Sequence, residues 1–425
     1  MSLVIENARV IDPIQNLDAQ RNIFIVNGKI VALGDQPPEG FVAKRTIDAK
    51  GLIACPGLID LAARLREPGF EHRATLETEM EAAMAGGVTS LAVPPDTDPP
   101  LDEPGLVEML CYRAKKLNRA HIYPIGALTL KLKGERLSEM AELVEAGCVA
   151  FSQANQPITN INVLMRAMQY AATFDYPVWL QPSDYYLSKS GVAHDALVAS
   201  RFGLPGIPVQ AETVALYTYL QLAKLTGARL HIARLSSASG LDLIRQARKE
   251  GVEVSCDVSI NHLLLCDEDI GFFDTNCRLV PPLRGRVDRA SLSAALKTGE
   301  IDAVCSDHSP LDDEDKQVPF SESVPGASSL ELLLPLTLKW AQAENVDFSV
   351  ALERITSAPA RLIGIKKGGH LSLGARADIC LFDPNGQTVV NRETLKSLGK
   401  NTPFLGQTLP GKVCYTLVEG KVMFE

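Results

Sequence analysis

Residues 229–258 read RLHIARLSSASGLDLIRQARKEGVEVSCDV, and this stretch decides the class of fold. It opens on a short apolar run (229–235), passes through an amphipathic segment (239–251) and closes on a second apolar run (252–258). Short continuous apolar runs suit strands buried on both faces, and Gly251 suits the end of a helix. Strand, helix and strand in succession predict neighbouring strands of a parallel sheet.

The same alternation extends outward from this unit. Strand-like runs occur at 53–61 (IACPGLIDL), 88–94, 121–128, 148–152, 176–180 and 301–305, with helical stretches such as 137–147 between them. About eight strand–helix units over about 300 residues fit a closed TIM-like (β/α)8 barrel better than an open sheet. The two ends of the chain read differently. Residues up to about 52 alternate strands and tight turns, with Asn27-Gly28 as a hairpin signal, and the end from about 366 does the same around Glu419-Gly420. The expected organisation is an α/β chain with a barrel over 53–365 and a small composite β-sandwich built from 1–52 plus 366–425.

Composition narrows the partners. The 425 residues carry 42 basic and 51 acidic side chains, a net charge of −9, without a long basic run. That argues against nucleic acid or an anionic membrane as the main partner. The opening MSLVIENARVID does not read as a secretory leader, and no apolar run approaches the roughly 18 residues of a membrane span. The nine cysteines are scattered without a CxxC pair, as expected of reduced thiols in the cytoplasm.

In such barrels the chemistry sits where strands run out into the following loops. Here those positions hold Asp60 to Arg66, Pro94 to Pro100, Ser152-Gln153, Gln181 to Asp184, Arg234 to Ser237, and Ser306-Asp307-His308. A hydrolytic zinc site needs imidazoles, carboxylates or thiolates converging on one point. The strand ends offer one carboxylate–imidazole pair, Asp307-His308, and little else. Of the seven histidines, His72, His121, His194 and His370 are dispersed, and His262 reads as structural. His231 lies three residues before Arg234 and faces away from it under strand alternation. No HxH, HExxH or CxxC constellation occurs.

Several motifs nevertheless occur in a recognisable order: Ile59-Asp60 through Arg66-Glu67-Pro68-Gly69, Thr97 with Pro99-Pro100, Asp274-Thr275-Asn276 to Pro281-Pro282-Leu283-Arg284, Ser306-Asp307-His308, and Asn401-Thr402-Pro403-Phe404-Leu405-Gly406. Together they resemble the dihydroorotases, metal-dependent hydrolases of the amidohydrolase superfamily. The resemblance implies metal ligands at positions occupied here by Ala62, Arg64, Gln153, Gln181 and Arg234, and the strand-8 aspartate survives as Asp307. Alanine offers no donor, glutamine is a weak neutral one, and arginine has no lone pair to give and stays cationic. A divalent ion is therefore not expected, and Arg64 or Arg234 is expected to fill the vacated space and neutralise Asp307. The substrate-binding positions implied by the resemblance retain Arg66, Asn276 and His308, whereas Asp96 stands where a substrate carboxylate meets an asparagine.

Dihydroorotase-like chains without a metal site are known as non-catalytic partners of aspartate carbamoyltransferase. This sequence is similar to them, which implies an inactive structural subunit with no cofactor. The implied partner is the catalytic transferase chain in a hetero-dodecamer of six plus six. An active cyclic amidohydrolase (dihydroorotase or hydantoinase-like) stays open as an alternative, with an atypical site joining Asp307 and His308 to Asp184 or Asp96. So does a module that senses a pyrimidine intermediate through Arg66, His308 and Asn276.

Overall fold

The computed structural model describes residues 2–425. Eight parallel strands follow one another around a ring: β1 (Leu58–Asp60), β2 (Val88–Val93), β3 (His121–Ala127), β4 (Ala150–Ser152), β5 (Val178–Leu180), β6 (Leu230–Ile232), β7 (Val254–Ser259) and β8 (Ala303–Cys305). Each is hydrogen-bonded to the next in chain order. β2 and β5 are buried at every position, as strands enclosed between helices and a packed interior require.

The outer helices form for local reasons. In the helix Ala238–Lys249 the Ser237 hydroxyl accepts the Gly240 N–H, and Leu241, Ile244 and Ala247 line up on the buried face. Capping of this kind is worth about 1 kcal/mol, and burial of each large apolar side chain about 1.5–3 kcal/mol.

The ring closes between β8 and β1 by less than a full strand pair. Ala63 and His308 form an isolated parallel bridge, in which the Arg64 N–H donates to the His308 carbonyl (3.0 Å) and the His308 N–H donates to the Ala62 carbonyl (2.9 Å). Just before it, the Asp60 carboxylate accepts the Ser306 N–H at 2.8 Å.

Both chain ends contribute to a second sheet, with strands at Ser2–Asp12, Leu17–Val26, Lys29–Gly34, Arg45–Asp48, Ile53–Pro56, Ile379–Val389, Thr408–Val418 and Lys421–Phe424. Its core includes Leu3, Ile5, Val10, Ile23, Ile379, Leu381 and Leu417. The hairpin turns read from the sequence are present: φ is positive at Asn27 and Gly28 (48° and 77°) and at Glu419 and Gly420 (48° and 69°).

One expectation needs correction. The run 53–61 is not one barrel strand. Ile53–Pro56 pairs antiparallel with Ile379–Phe382 and parallel with Arg9–Val10, so it belongs to the terminal sheet, and only Leu58–Asp60 enters the barrel. Gly57 makes the handover: its N–H bonds to Asp378, the next N–H bonds to Gly87, and a Cβ at Gly57 would lie 2.3 Å from the Thr89 hydroxyl. The terminal β domain is joined by one continuous path of hydrogen-bonded strands, because Ile53–Pro56 bridges its two halves.

Candidate functional site at the barrel mouth

Asp307 stands just past β8 with a side chain only 6% exposed, and two guanidinium groups reach it. The Arg64 Nη1 donates to its Oδ1 at 3.2 Å, and the Arg234 Nη1 donates to the same oxygen at 2.9 Å. The expected neutralisation of Asp307 by one arginine is thus carried out by both. Arg64 comes from the end of β1 and Arg234 from the end of β6, so side chains from opposite parts of the ring meet over one carboxylate.

Each arginine has further partners. The Arg64 Nε donates to Asp96 Oδ2 (2.8 Å), its Nη1 to the Ser309 hydroxyl (3.1 Å) and its Nη2 to Asn155 Oδ1 (3.4 Å). The Arg234 Nη2 donates to Asn155 Oδ1 at 2.6 Å, and its Nη1 reaches the Val280 carbonyl at 3.4 Å. Burial works against the Arg64 cation, but Asp96 and Asp307 outweigh it and raise its pKa above the ordinary arginine value. Burial likewise opposes ionisation of Asp96, which the Arg64 charge overcomes, leaving its pKa lowered.

The backbone around the cluster is held in an uncommon conformation. Arg66, Arg234 and Asp307 all have positive φ (64°, 57° and 50°), a region that costs non-glycine residues about 1–3 kcal/mol each. Arg234 is anchored there by Asp257, whose Oδ1 accepts the Arg234 N–H at 2.8 Å while its Oδ2 meets His231 Nε2 at 2.9 Å. His231 therefore supports Arg234 from within the barrel instead of joining the mouth.

The other positions singled out from the sequence make their hydrogen bonds outside this cluster of side chains. Ala62 lends its carbonyl to the seam. Gln153 exchanges two hydrogen bonds with the Thr129 hydroxyl, and Gln181 donates to the Pro182 carbonyl. Arg66 is 9% exposed and donates through Nε to the Pro310 carbonyl; burial, reinforced by the charge of Arg64, lowers its pKa to about 10. Asn276 lies on a 3-10 turn (Thr275–Cys277), where its N–H bonds to Asp274. Asp184 caps the short helix Tyr185–Ser188.

His308 does not face the mouth, contrary to its reading as a substrate-binding remnant. Its ring is fully buried, with Nε2 2.7 Å from Glu79 Oε2, while Nδ1 accepts the Ser329 N–H at 3.2 Å. An Nδ1 that accepts must be unprotonated, so Nε2 carries the hydrogen and donates to Glu79. Nε2 thus holds the segment after β8 against the helix Leu76–Ala85, and Nδ1 holds it against the chain at Ser329. Sequence reasoning missed Glu79, which sits inside an ordinary helical pattern. It also missed Asn155, whose one signal is its place two residues beyond Gln153.

The donor set does not fit a divalent cation. Among the described residues, no three His, Cys, Asp or Glu side chains come together in a way that would hold one. The one carboxylate retained from the expected ligand set already accepts from two cations, which would repel a third. The arrangement binds charge internally, by directional bonds.

A parallel barrel with a β domain drawn from both termini and an aspartate after β8 defines an amidohydrolase-type chain. Residues 223–424 match the amidohydrolase family, and residues 51–239 match the dihydro-orotase-like family. A dihydroorotase-like protein of Pseudomonas aeruginosa is 44% identical, with both chains covered in full. A protein of Syntrophus aciditrophicus named dihydroorotase is 38% identical, again over the full length of both. The L-hydantoinase (dihydropyrimidinase) of Arthrobacter aurescens shares the fold, with a TM-score of 0.89 at 24% identity, over 100% of this chain and 96% of that one. This chain belongs to the dihydroorotase-like family of amidohydrolases.

The nine cysteines are free thiols, seven of them buried. No helix among the described residues is long and apolar enough to cross a membrane.

Proposed function

We propose that this chain is a non-catalytic member of its family, acting in the cytoplasm as a structural subunit of aspartate carbamoyltransferase in pyrimidine biosynthesis. The observation that carries the first half is the pair of guanidinium groups on Asp307, where a hydrolytic member needs a metal-bound water and a free carboxylate base. The partner follows from the resemblance in sequence to metal-free chains of that assembly, and the proposed complex has six copies of each chain. The Pseudomonas relatives, which carry the name dihydroorotase-like protein, are 44% identical to this chain, against 38% for the Syntrophus protein named dihydroorotase.

The test has two parts. Protein purified without chelators, loaded with excess zinc and desalted is assayed for metal by mass spectrometry and for turnover of dihydroorotate. Less than about a tenth of an equivalent of zinc, with no turnover, is the expected result. Stoichiometric zinc with turnover of dihydroorotate or a hydantoin overturns the non-catalytic reading in favour of an active cyclic amidohydrolase. Co-expression with the catalytic transferase chain of the same organism then tests the partner. Co-elution at equal stoichiometry, with transferase activity lost when this chain is omitted, is expected; separate elution overturns the assignment.

A further inference from the structure

The barrel is weakest where its first and last strands meet. β1 and β8 share the single bridge Ala63–His308, supported by the Asp60 bond to Ser306. The immediate neighbours of the two bridge residues are Arg64 and Asp307, which bond across the same seam. Arg234 bonds to the same Asp307 oxygen from β6. Through Asp96 and Asn155, the cluster also takes in the loops after β2 and β4. Five of the eight strand ends are therefore tied together by two side chains.

We infer that Arg64 and Arg234 form a fixed-charge clamp that closes the barrel seam, doing structurally what a divalent cation does by coordination. This deepens the metal-free reading of the mouth and rests on it. The charges match: two guanidinium groups face two carboxylates, Asp307 and Asp96. The directions match as well. A cation gathers lone pairs at one point, whereas each planar guanidinium spreads N–H groups over several acceptors and so joins loops that share no common ligand point. Two further features suit a clamp: Arg64, Arg234 and Asp307 are almost wholly buried, with Asp96 part-buried at the rim, and Asp257 fixes the backbone of Arg234 in the conformation that brings its side chain over Asp307.

The clamp is tested by hydrogen–deuterium exchange on the full chain, comparing segments 58–66 and 303–310 with β4 and β5 as internal reference. Arg64→Met and Arg234→Met are each expected to speed exchange in both seam segments at least about tenfold while β4 and β5 stay protected. Seam exchange within twofold of wild type in either folded variant overturns the clamp. The two variants are independent arms, since Arg234→Met leaves the Arg64–Asp96 pair intact; the milder Arg234→Gln replaces it if Met prevents folding, and is held to the same twofold limit. Wild-type protein is also measured with excess zinc and with a chelator, and no change is expected. Zinc uptake that slows seam exchange overturns the metal-free reading itself, a result distinguishable from wild-type-like exchange in the variants.

Discussion

Replacing Asp307 with asparagine removes one negative charge from beneath two cations and leaves the shape of the side chain nearly unchanged. Arg64 keeps Asp96 at 2.8 Å, but Arg234 keeps only neutral acceptors, the Asn155 side chain and the Val280 carbonyl. The two guanidinium nitrogens share one Asp307 oxygen, at 3.2 and 2.9 Å, so they lie no more than about 6 Å apart. Two unit charges at that distance repel by about 3 kcal/mol at an effective dielectric constant near 20. Breaking a buried pair from one side costs about 3–5 kcal/mol by the same logic of an uncompensated charge. Urea unfolding of Asp307→Asn is expected to show that loss, a midpoint lower by roughly 1–1.7 M at a slope near 3 kcal/mol per M. Adding Arg234→Met to Asp307→Asn removes the stranded cation and is expected to recover about 2 kcal/mol, a coupling that a double-mutant cycle isolates. A loss below about 1 kcal/mol in Asp307→Asn, or no recovery in the double variant, would refute the electrostatic account of the mouth.

Three further outcomes follow from groups elsewhere in the barrel. Burial lowers the pKa of His262 to about 4, so between pH 6.5 and 4 the unfolded chain takes up a proton that the folded chain refuses. Stability should therefore fall by up to about 3 kcal/mol as pH drops through that window, and His262→Phe should remove this component of a melting-temperature profile. Burial opposes the Glu79 carboxylate, but its bond to His308 prevails and lowers its pKa, so its contribution is present above the ordinary glutamate value and is lost as pH falls through the lowered one. Glu79→Gln is expected to flatten the acid limb of urea midpoints below about pH 4.5. Gly69 has φ of 98°, and a Cβ there would lie 2.1 Å from the Asp98 carbonyl oxygen, so Gly69→Ala should cost about 2–4 kcal/mol in thermal unfolding.

The barrel was legible because strands enclosed between helices and a packed interior must be apolar on both faces, and the runs at 88–94 and 176–180 carry that signature. The division of 53–61 was not legible. Both halves are equally apolar, and the change of sheet depends on the contact of Gly57 with Thr89, a residue distant in sequence. At the mouth, the family resemblance placed Arg64, Arg234 and Asp307 around one vacated point, and residue chemistry then made one arginine or the other the expected partner of a buried carboxylate. His308 misled because adjacency to Asp307 says nothing about direction. Successive residues past a strand end point to different sides, and the second side points at Glu79. Asn155 escaped notice because a loop asparagine acquires meaning only when two arginines from other strands arrive at it.

The continuous terminal sheet has a consequence for synthesis on the ribosome. Its N-terminal strands and Ile53–Pro56 emerge early, but the strand that pairs with Ile53–Pro56 begins at Ile379, roughly 320 residues later. At about 5–20 residues per second, that interval lasts about 15–65 s. During it the nascent chain carries an apolar sheet face and an unpaired edge, the kind of surface to which chaperones bind. The whole barrel must be synthesised before the first fifty residues can find their last partner.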